Sequence, residues 1–181
     1  MEIGSFCGLS TVVLSYLLDK RNLSTSIFTC DKWEFVGQQL EALLGDSPYV
    51  THDVYQEYVK STFLRSMYTF AANRLPHTIE CLSDEFFRRW FEEEKAIDVF
   101  DRSVTLGGKF SFCYIDGNHT YEFAKRDFDN ADRSLVRGGF ILFDDSADGS
   151  RWGVNQLTRE IASGHRYDLV SQNPNYLFCK K

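Results

Sequence analysis

The stretch Met1-Glu2-Ile3-Gly4-Ser5-Phe6-Cys7-Gly8-Leu9-Ser10-Thr11 combines the end of a buried strand, a glycine-containing turn and the start of a helix over about 9–18. Gly4 and Gly8 allow backbone torsions that other residues avoid, and they let a ligand approach the main chain closely. The helix directs its free N–H groups and the positive end of its dipole at this turn. A strand, turn and helix in this arrangement commonly bind a nucleotide or a nucleoside.

The spacing of the two glycines argues against a dinucleotide. A dinucleotide-binding turn has the pattern G-x-G-x-x-G, whereas Ser5-Phe6-Cys7 separates Gly4 from Gly8 here. An NAD-dependent oxidoreductase is therefore disfavoured. Any tight turn between a strand and a helix can carry two glycines, so the order of the elements downstream has to decide.

The composition indicates one globular domain spanning 1–181. The chain has 181 residues, is 43% hydrophobic and 15% aromatic, and carries a formal net charge of -6. It has no basic run longer than Arg88-Arg89, which argues against nucleic acid or an anionic membrane as a partner. The five cysteines show no CxxC spacing and indicate reduced thiols in a cytoplasmic protein. Oligomeric state, including a homo-oligomer, stays open.

Targeting signals are lacking from the sequence pattern. No segment reaches the roughly 18 apolar residues of a membrane span, and the first residues show no basic-then-apolar secretory pattern. Only Met1-Glu2-Ile3 precedes the glycine turn, although this strand should be central in the sheet. We therefore expect either that the chain begins abruptly at this strand or that the upstream helices of a longer fold are absent from this sequence.

Strand and helix patterns alternate along the chain, which predicts a parallel sheet with crossover connections. Strands are predicted at 26–31, 77–82, 110–116 and 140–143, and helices at 36–44, 53–75 (with an internal break), 84–94, 121–135 and 153–163. Ser83 is the predicted N-cap of the helix over 84–94, and Gly138-Gly139 is predicted to stop the helix over 121–135. The runs 167–172 and 176–180 flank Asn173-Pro174-Asn175 and predict a closing antiparallel hairpin.

Polar residues follow the predicted strands where a sheet of this class binds ligands. Asp31 comes roughly 20 residues after the glycine turn, where a carboxylate accepts both ribose hydroxyls of a nucleotide. Helix capping is the alternative for Asp31. Trp33 would either form a wall against an adenine or belong to the core.

Two later strands end in acids. Asp116 follows one of them and Asp144-Asp145 follows the next. Three carboxylates at one place repel each other unless a cation or protons intervene, and oxygen ligands in that number suit Mg²⁺, Ca²⁺ or Mn²⁺. The sequence thus predicts a divalent metal site, with loop capping by Asp144-Asp145 as the alternative.

Three stretches together resemble the class I S-adenosylmethionine (SAM)-dependent O-methyltransferases, in particular the bacterial small-molecule group that methylates macrolide and aminocoumarin sugars. They are the Glu-x-Gly-x-x-x-Gly pattern of 2–8, Ile115-Asp116-Gly117-Asn118-His119-Thr120-Tyr121-Glu122, and Gly138-Gly139-Phe140-Ile141-Leu142-Phe143-Asp144-Asp145. The resemblance implies a Rossmann-like α/β fold. It would have a mostly parallel seven-stranded sheet, a C-terminal antiparallel hairpin and helices on both faces.

The resemblance also implies roles for individual residues. The cofactor-binding set would be Glu2, Gly4, Ser5, Gly8, Asp31, Trp33, Ser83, Asp84 and Asp116, with Ser83 and Asp84 beside the adenine. Asp116, Asp144 and Asp145 match the metal ligands of the metal-dependent members, in which the cation acidifies an acceptor hydroxyl. Capping of the following helix explains Ser83 and Asp84 equally well.

One departure from the family pattern concerns the proton acceptor. Sugar-modifying relatives carry a second acid two positions after the first metal-binding Asp, and Asn118 stands there in this chain. His119 is one residue further on, and its imidazole could take the hydroxyl proton or could only orient the loop. The prediction is a metal-assisted O-methyltransferase that acts on a small hydroxylated molecule. The alternatives are a metal-independent methyltransferase of the same fold and a catalytically silent SAM-fold binding module.

Overall fold

The computed structural model describes residues 1–34 and 39–181, and the chain forms two compact units. The sheet unit consists of 1–4, 28–31 and 77–181, and the helical unit consists of 5–27 with 32–76. None of the helices within the described ranges is both long enough and apolar enough to cross a lipid bilayer.

The elements of the described chain are strands and helices that alternate over much of its length. They are β1 (Glu2–Ile3), α1 (Leu9–Lys20), β2 (Phe28–Cys30), α2 (His52–Phe70), a 3₁₀ turn (Ala72–Arg74), β3 (His77–Ile79), α3 (Ser83–Phe91), β4 (Lys95–Ile97), β5 (Ser103–Thr105), β6 (Phe110–Ile115), α4 (Tyr121–Ser134), β7 (Leu135–Phe143), α5 (Gly153–Ser163), β8 (Tyr167–Gln172) and β9 (Tyr176–Lys180).

The main sheet has seven strands in the order β3-β2-β1-β6-β7-β9-β8. The first five strands in this order pair in parallel, whereas β9 is antiparallel to both β7 and β8. This arrangement confirms the predicted α/β fold with a mostly parallel sheet and a C-terminal antiparallel hairpin. β4 and β5 form a separate antiparallel pair.

The core of the sheet unit is rich in aromatic side chains, and α3, α4 and α5 each pack one face against it. α3 buries Phe86, Phe87 and Trp90. The alanines and phenylalanine of α4 recur at a spacing of three to four residues and face inward, as do the aliphatic residues of α5. Full burial of a large apolar side chain contributes about 1.5–3 kcal/mol each, so these faces explain why the segments fold as helices here.

The helical unit packs α2 against the start of α1. Gly8 is the N-cap residue of α1 and has a φ of 91°. A Cβ at this position would lie 2.7 Å from Cε of Met67 and 3.0 Å from the ring of Phe63, both of which are fully buried on α2. Gly8 therefore permits close packing between the two helices as well as the left-handed turn.

One helix prediction in the helical unit was wrong in part, and another was confirmed. Residues 36–38 of the predicted helix over 36–44 lie outside the described residues, whereas 39–44 contain a turn and one side of an isolated bridge between Leu43 and Thr51. In the helical segment predicted over 53–75 with an internal break, α2 runs from His52 to Phe70. Ala71 separates α2 from the 3₁₀ turn over Ala72–Arg74, so the expected break is present near the end of the segment.

The residues predicted to begin one helix and to end another were also wrong. Leu82, and not Ser83, is the N-cap residue of α3. Gly138-Gly139 does not stop α4, because α4 ends at Ser134 and β7 begins directly. Leu135 and Phe140 of β7 pair with residues of β6 that are only two positions apart, so the glycines lie in an irregularity of the strand.

Candidate active site

The register of the sheet aligns the ends of five parallel strands. Ile3 pairs with both Cys30 and Ile115, Cys30 pairs with Ile79, and Ile115 pairs with Phe143. The next residues therefore form one row along the carboxyl edge, in the order Glu80, Asp31, Gly4, Asp116 and Asp144. The predicted convergence of the Gly4, Asp31, Asp116 and Asp144 positions on one edge is thus present in the structure.

Gly4 forms the centre of this row. Its φ is 81°, and its N–H donates to the carbonyl oxygen of Cys30 at 2.9 Å. A Cβ on Gly4 would lie 2.1 Å from the carbonyl oxygen of Asp116. The missing side chain is thus needed for the approach of the β6 end to the β1 end, a reason that the sequence analysis did not identify.

Asp31 is half-buried at the end of β2, and its backbone N–H donates to Ile79 at 3.3 Å. This contact ties the end of β2 to the end of β3. Glu2 lies one strand over and is fully buried. Both acids are therefore held by the sheet itself and not by a loop.

The remaining predicted residues of the first turn belong to the helical unit. Ser5 is buried, and its carbonyl oxygen accepts a hydrogen bond from the Gly8 N–H at 2.7 Å. Trp33 is only 3% exposed. Its indole N–H donates to the carbonyl oxygen of Phe6, and its ring lies 5.3 Å from that of Phe63. These contacts favour the core alternative for Trp33 over an adenine wall.

Asp116 and Asp144 form a hydrogen-bonded pair of acids. Burial raises the pKa of Asp116 from 3.8 to about 8, and the charge of Asp144 and the hydrogen bond to it add to this shift, as does Glu2. Burial, followed by the charges of Asp116 and Asp144, also raises the pKa of Tyr114, whose hydroxyl is hydrogen-bonded to Asp144. The pair therefore holds one proton at neutral pH, because two adjacent carboxylates ionise with difficulty in a desolvated site.

Asp145 points to a different partner. Its Oδ2 lies 3.4 Å from Nε2 of His119, whose ring is 5.5 Å from that of Trp152. Across residues 1–34 and 39–181, no group of three or more His, Cys, Asp or Glu side chains is arranged to hold a metal ion. The predicted three-ligand set of Asp116, Asp144 and Asp145 is therefore not assembled, because Asp145 has a φ of 49° and pairs with the imidazole.

The hairpin between β8 and β9 supports the loop that carries Asp144. The side-chain amide of Asn175 donates to Oδ1 of Asp144 at 2.6 Å and accepts from the N–H of Ser146 at 3.2 Å. The Ser146 hydroxyl in turn accepts from the N–H of Tyr176 at 2.8 Å. Asn175 was not predicted from the sequence, although its place beside Pro174 in a turn after the acidic strand end was the available signal.

Ser83 and Asp84 occupy the first turn of α3. Asp84 faces α4, where it accepts a 3.5 Å hydrogen bond from Asn130 and lies 3.5 Å from the Arg126 guanidinium. The Ser83 hydroxyl is hydrogen-bonded to the buried carboxyl group of Asp127 on α4. Both residues therefore connect α3 to α4, in addition to any role at the strand edge.

Comparison with known proteins identifies the class. A sequence profile described as "Methyltransferase domain" matches residues 1–146. The chain belongs to this methyltransferase family.

Individual relatives are distant. Uncharacterized protein R132 of Acanthamoeba polyphaga mimivirus is 26% identical over 113 residues, which are 57% of this chain and 49% of that protein. The chain thus spans about half the length of this curated relative.

Solved structures share the fold at low sequence identity. CalS11, a TDP-rhamnose 3′-O-methyltransferase of calicheamicin biosynthesis, matches with a TM-score of 0.60 at 16% identity, over 99% of this chain and 70% of CalS11. The O-methyltransferase NovP matches with a TM-score of 0.59 at 11% identity, over 100% of this chain and 71% of NovP. The O-methyltransferase TomG from Streptomyces achromogenes, solved with SAM, matches with a TM-score of 0.57 at 15% identity, over 99% of this chain and 71% of TomG. These matches show a Rossmann-like methyltransferase fold.

Proposed function

We propose that this chain binds SAM at the carboxyl edge of its sheet and transfers the methyl group to a hydroxyl of a small molecule. The observation that carries the proposal is the row in which Asp31, Gly4, Asp116 and Asp144 follow one another across adjacent strands. Membership of a methyltransferase family supports the use of SAM. Structural neighbours that are O-methyltransferases of small molecules support a hydroxyl acceptor.

The nucleoside part of SAM would use the β2 and β3 side of the row. Asp31 is half-buried in the position from which a carboxylate accepts both ribose hydroxyls. Ser83 and Asp84 would lie by the adenine edge. Their positions in the first turn of α3 also offer the free N–H groups of a helix start to ring nitrogens.

The methionine part would lie towards β1. Glu2 and Gly4 are the residues of the sheet unit that we assign to it, because the Gly4 turn leaves the main chain without a side chain there. The cofactor-binding roles of Ser5, Gly8 and Trp33, which belong to the helical unit, stay predictions.

The transfer step needs a proton acceptor beside the acceptor hydroxyl. SAM supplies a methyl group on a positively charged sulfur. We assign the role of proton acceptor to His119, whose imidazole lies between Asp145 and the ring of Trp152. The hydroxyl oxygen forms the new bond to carbon, the carbon–sulfur pair returns to sulfur, and the hydroxyl proton passes to the imidazole. Asp145 stabilises the resulting imidazolium, and Asp116 with its proton orients the groups at the strand edge.

We further propose that a divalent cation binds at the strand edge. Asp116 and Asp144 would hold it, because two desolvated carboxylates in contact are stabilised either by a proton or by a cation. Mg²⁺ prefers such oxygen ligands and would acidify the acceptor hydroxyl. The reaction assigned to His119 does not depend on it.

Isothermal titration with S-adenosylhomocysteine, with and without Mg²⁺, tests the proposal. We expect binding by the native chain, a loss of at least tenfold in affinity for Asp31→Ala, and little change for Asp144→Ala. Asp168→Ala is the matched control, since Asp168 is an exposed acid on β8. Absence of S-adenosylhomocysteine binding, or binding of NADH in its place, would refute the proposal.

Turnover is measured as S-adenosylhomocysteine release from SAM over a panel of phenols, catechols and sugars. His119→Ala should abolish release while retaining cofactor binding, whereas Asp144→Ala should retain cofactor binding and remove any enhancement of release by Mg²⁺. Binding without turnover on any acceptor would instead support the catalytically silent binding module. Enhancement of turnover by Mg²⁺ that Asp144→Ala removes would support the cation.

A further inference from the structure

A buried carboxyl group lies beneath the proposed adenine position and has no part in the reaction described above. Asp127 of α4 is 2% exposed. Its carboxyl group is hydrogen-bonded to the Ser83 hydroxyl, and a Cβ on Gly117 would lie 3.1 Å from its Oδ2. Its Oδ1 is buried and has no hydrogen-bond partner among the residues that the structure describes. Asp127 therefore underlies both the start of α3 and the loop after β6.

The surroundings of Asp127 offer little compensation for a negative charge. Burial is the main cause that raises the pKa of Asp127 to about 7. Asp84 on α3 raises it further, and Arg126 on α4 opposes the shift. The thiols of Cys30 on β2 and Cys113 on β6 also interact electrostatically with it. The carboxyl group thus changes its protonation close to physiological pH.

We propose that Asp127 is a positioning residue that decides whether the Ser83 hydroxyl donates or accepts a hydrogen bond toward the bound nucleoside. The inference rests on the proposed function, which places Ser83 by the adenine. A carboxylate accepts the Ser83 proton, so Ser83 can only accept from the ligand. A protonated carboxyl group donates to the Ser83 oxygen instead, so the Ser83 proton is free for an acceptor atom of the adenine ring.

The direction of the pH effect follows from desolvation. A nucleoside that covers Ser83 removes the remaining water near Asp127 and brings no positive charge to the carboxyl group. Burial of an acid without a compensating charge favours its neutral form. Nucleoside affinity should therefore be highest below the pKa of Asp127 and should fall as the pH rises through about 7.

Titration calorimetry with 5′-methylthioadenosine tests this inference, because this uncharged nucleoside has no group that titrates between pH 6 and pH 8.5. S-Adenosylhomocysteine is titrated in parallel. We expect the native chain to lose affinity about three- to tenfold from pH 6 to pH 8.5, a difference of roughly 0.7–1.4 kcal/mol. Asp127→Asn should abolish this pH dependence, because the Asn amide N–H donates to Ser83 at every pH, and Ser83→Ala should also abolish it.

Asp129→Asn is the control, since Asp129 is an exposed acid of the same helix that pairs with Lys125, and it should keep the native profile. A native profile without pH dependence, or one that persists in Ser83→Ala, would overturn the inference while S-adenosylhomocysteine binding leaves the proposed function intact. If Asp127→Asn does not fold, the comparison of the native chain with Ser83→Ala decides the question. Absence of all binding by the native chain would overturn both proposals.

Discussion

Asp98 is buried and Asp116 is half-buried in the sheet unit, and their neighbours differ in charge. Asp98 is 3% exposed and accepts hydrogen bonds from the Arg102 guanidinium at 2.6 and 2.9 Å. Its carboxylate also accepts from the backbone N–H groups of Phe100 and Arg102 and lies 3.1 Å from Nδ1 of His77. Burial alone would raise the pKa of Asp98, but these donors hold it below its usual range. Asp116 instead contacts a second acid, and its pKa rises to about 8.

The difference separates a structural acid from the acid to which we assign a function. The donors around Asp98 fix the turn between β4 and β5 and leave no unmet demand for charge. The charges of Asp116 and Asp144 are not compensated in this way at the edge where this fold binds ligands. The loss of stability that their proximity causes is therefore not offset inside the protein. A strongly shifted acid beside a like charge in such a place is a characteristic of functional sites.

The largest expected effect is at the structural acid. Asp98→Ala leaves the Arg102 guanidinium and two backbone N–H groups without their acceptor, and it should lower the free energy of unfolding by about 3–4 kcal/mol. Urea denaturation measures this. Asp98→Asn keeps acceptors for the backbone donors and should cost roughly half as much. A loss below about 1 kcal/mol for Asp98→Ala would erase the contrast between the two acids.

The second effect is at the glycine that brings the strand ends together. Gly4→Ala would place a Cβ 2.1 Å from the Asp116 carbonyl oxygen at a positive φ, and we expect a loss of about 2–4 kcal/mol. Gly138→Ala is the control, because Gly138 also has a positive φ of 76° but has open space around its Cβ position. It should cost only about 1 kcal/mol. Equal losses would show that torsion, and not the approach of Asp116, makes Gly4 necessary.

The third effect depends on pH. The folded pKa of Asp116 is raised from 3.8 to about 8, so its contribution to stability is fully present below about pH 4 and is lost as the pH rises through 8. Asp116→Asn removes this loss. The variant should gain between about 1 and 3 kcal/mol relative to the native chain at pH 8.5 and less at pH 5. Thermal unfolding across this range measures the difference, and a gain independent of pH would contradict the shared proton.

The smallest effect is at the support of Asp144. Asn175→Ala removes one side-chain hydrogen bond to Asp144 and one from Ser146, and should cost about 1–2 kcal/mol. Asn173→Ala lies in the same exposed turn and should change stability by less than about 0.5 kcal/mol. If turnover is established, Asn175→Ala should lower kcat more than it weakens S-adenosylhomocysteine binding. Equal behaviour of the two variants would mean that the turn does not position Asp144.

Local signals predicted the parts of the fold that depend on local chemistry. The hairpin over 167–172 and 176–180 matches β8 and β9 because Pro174 between two asparagines marks the turn. The row of strand-end residues was predictable because parallel strands deliver their carboxyl ends to one edge. α5 was likewise predicted at 153–163.

Contacts between distant residues account for the errors. Ser83 was expected to cap α3, but Asp127, 44 residues later in the chain, takes its hydroxyl. Gly138-Gly139 suggested a helix stop, yet pairing with β6 draws the segment into β7. Asp145 follows Asp144 directly and was expected to share its partner, but its left-handed backbone turns it to His119. Such choices depend on tertiary packing, which a local pattern does not contain.

The position of β9 between β7 and β8 has a consequence for synthesis on the ribosome. β8 emerges before β9, but it has no neighbour in the sheet until β9 has inserted beside β7. Until Tyr176–Lys180 has left the exit tunnel, β7 is an open edge and the Asp144 loop lacks the Asn175 side chain that holds it. The nascent chain therefore exposes unpaired strand edges until β9 has emerged, and chaperone binding or aggregation should be concentrated in that interval.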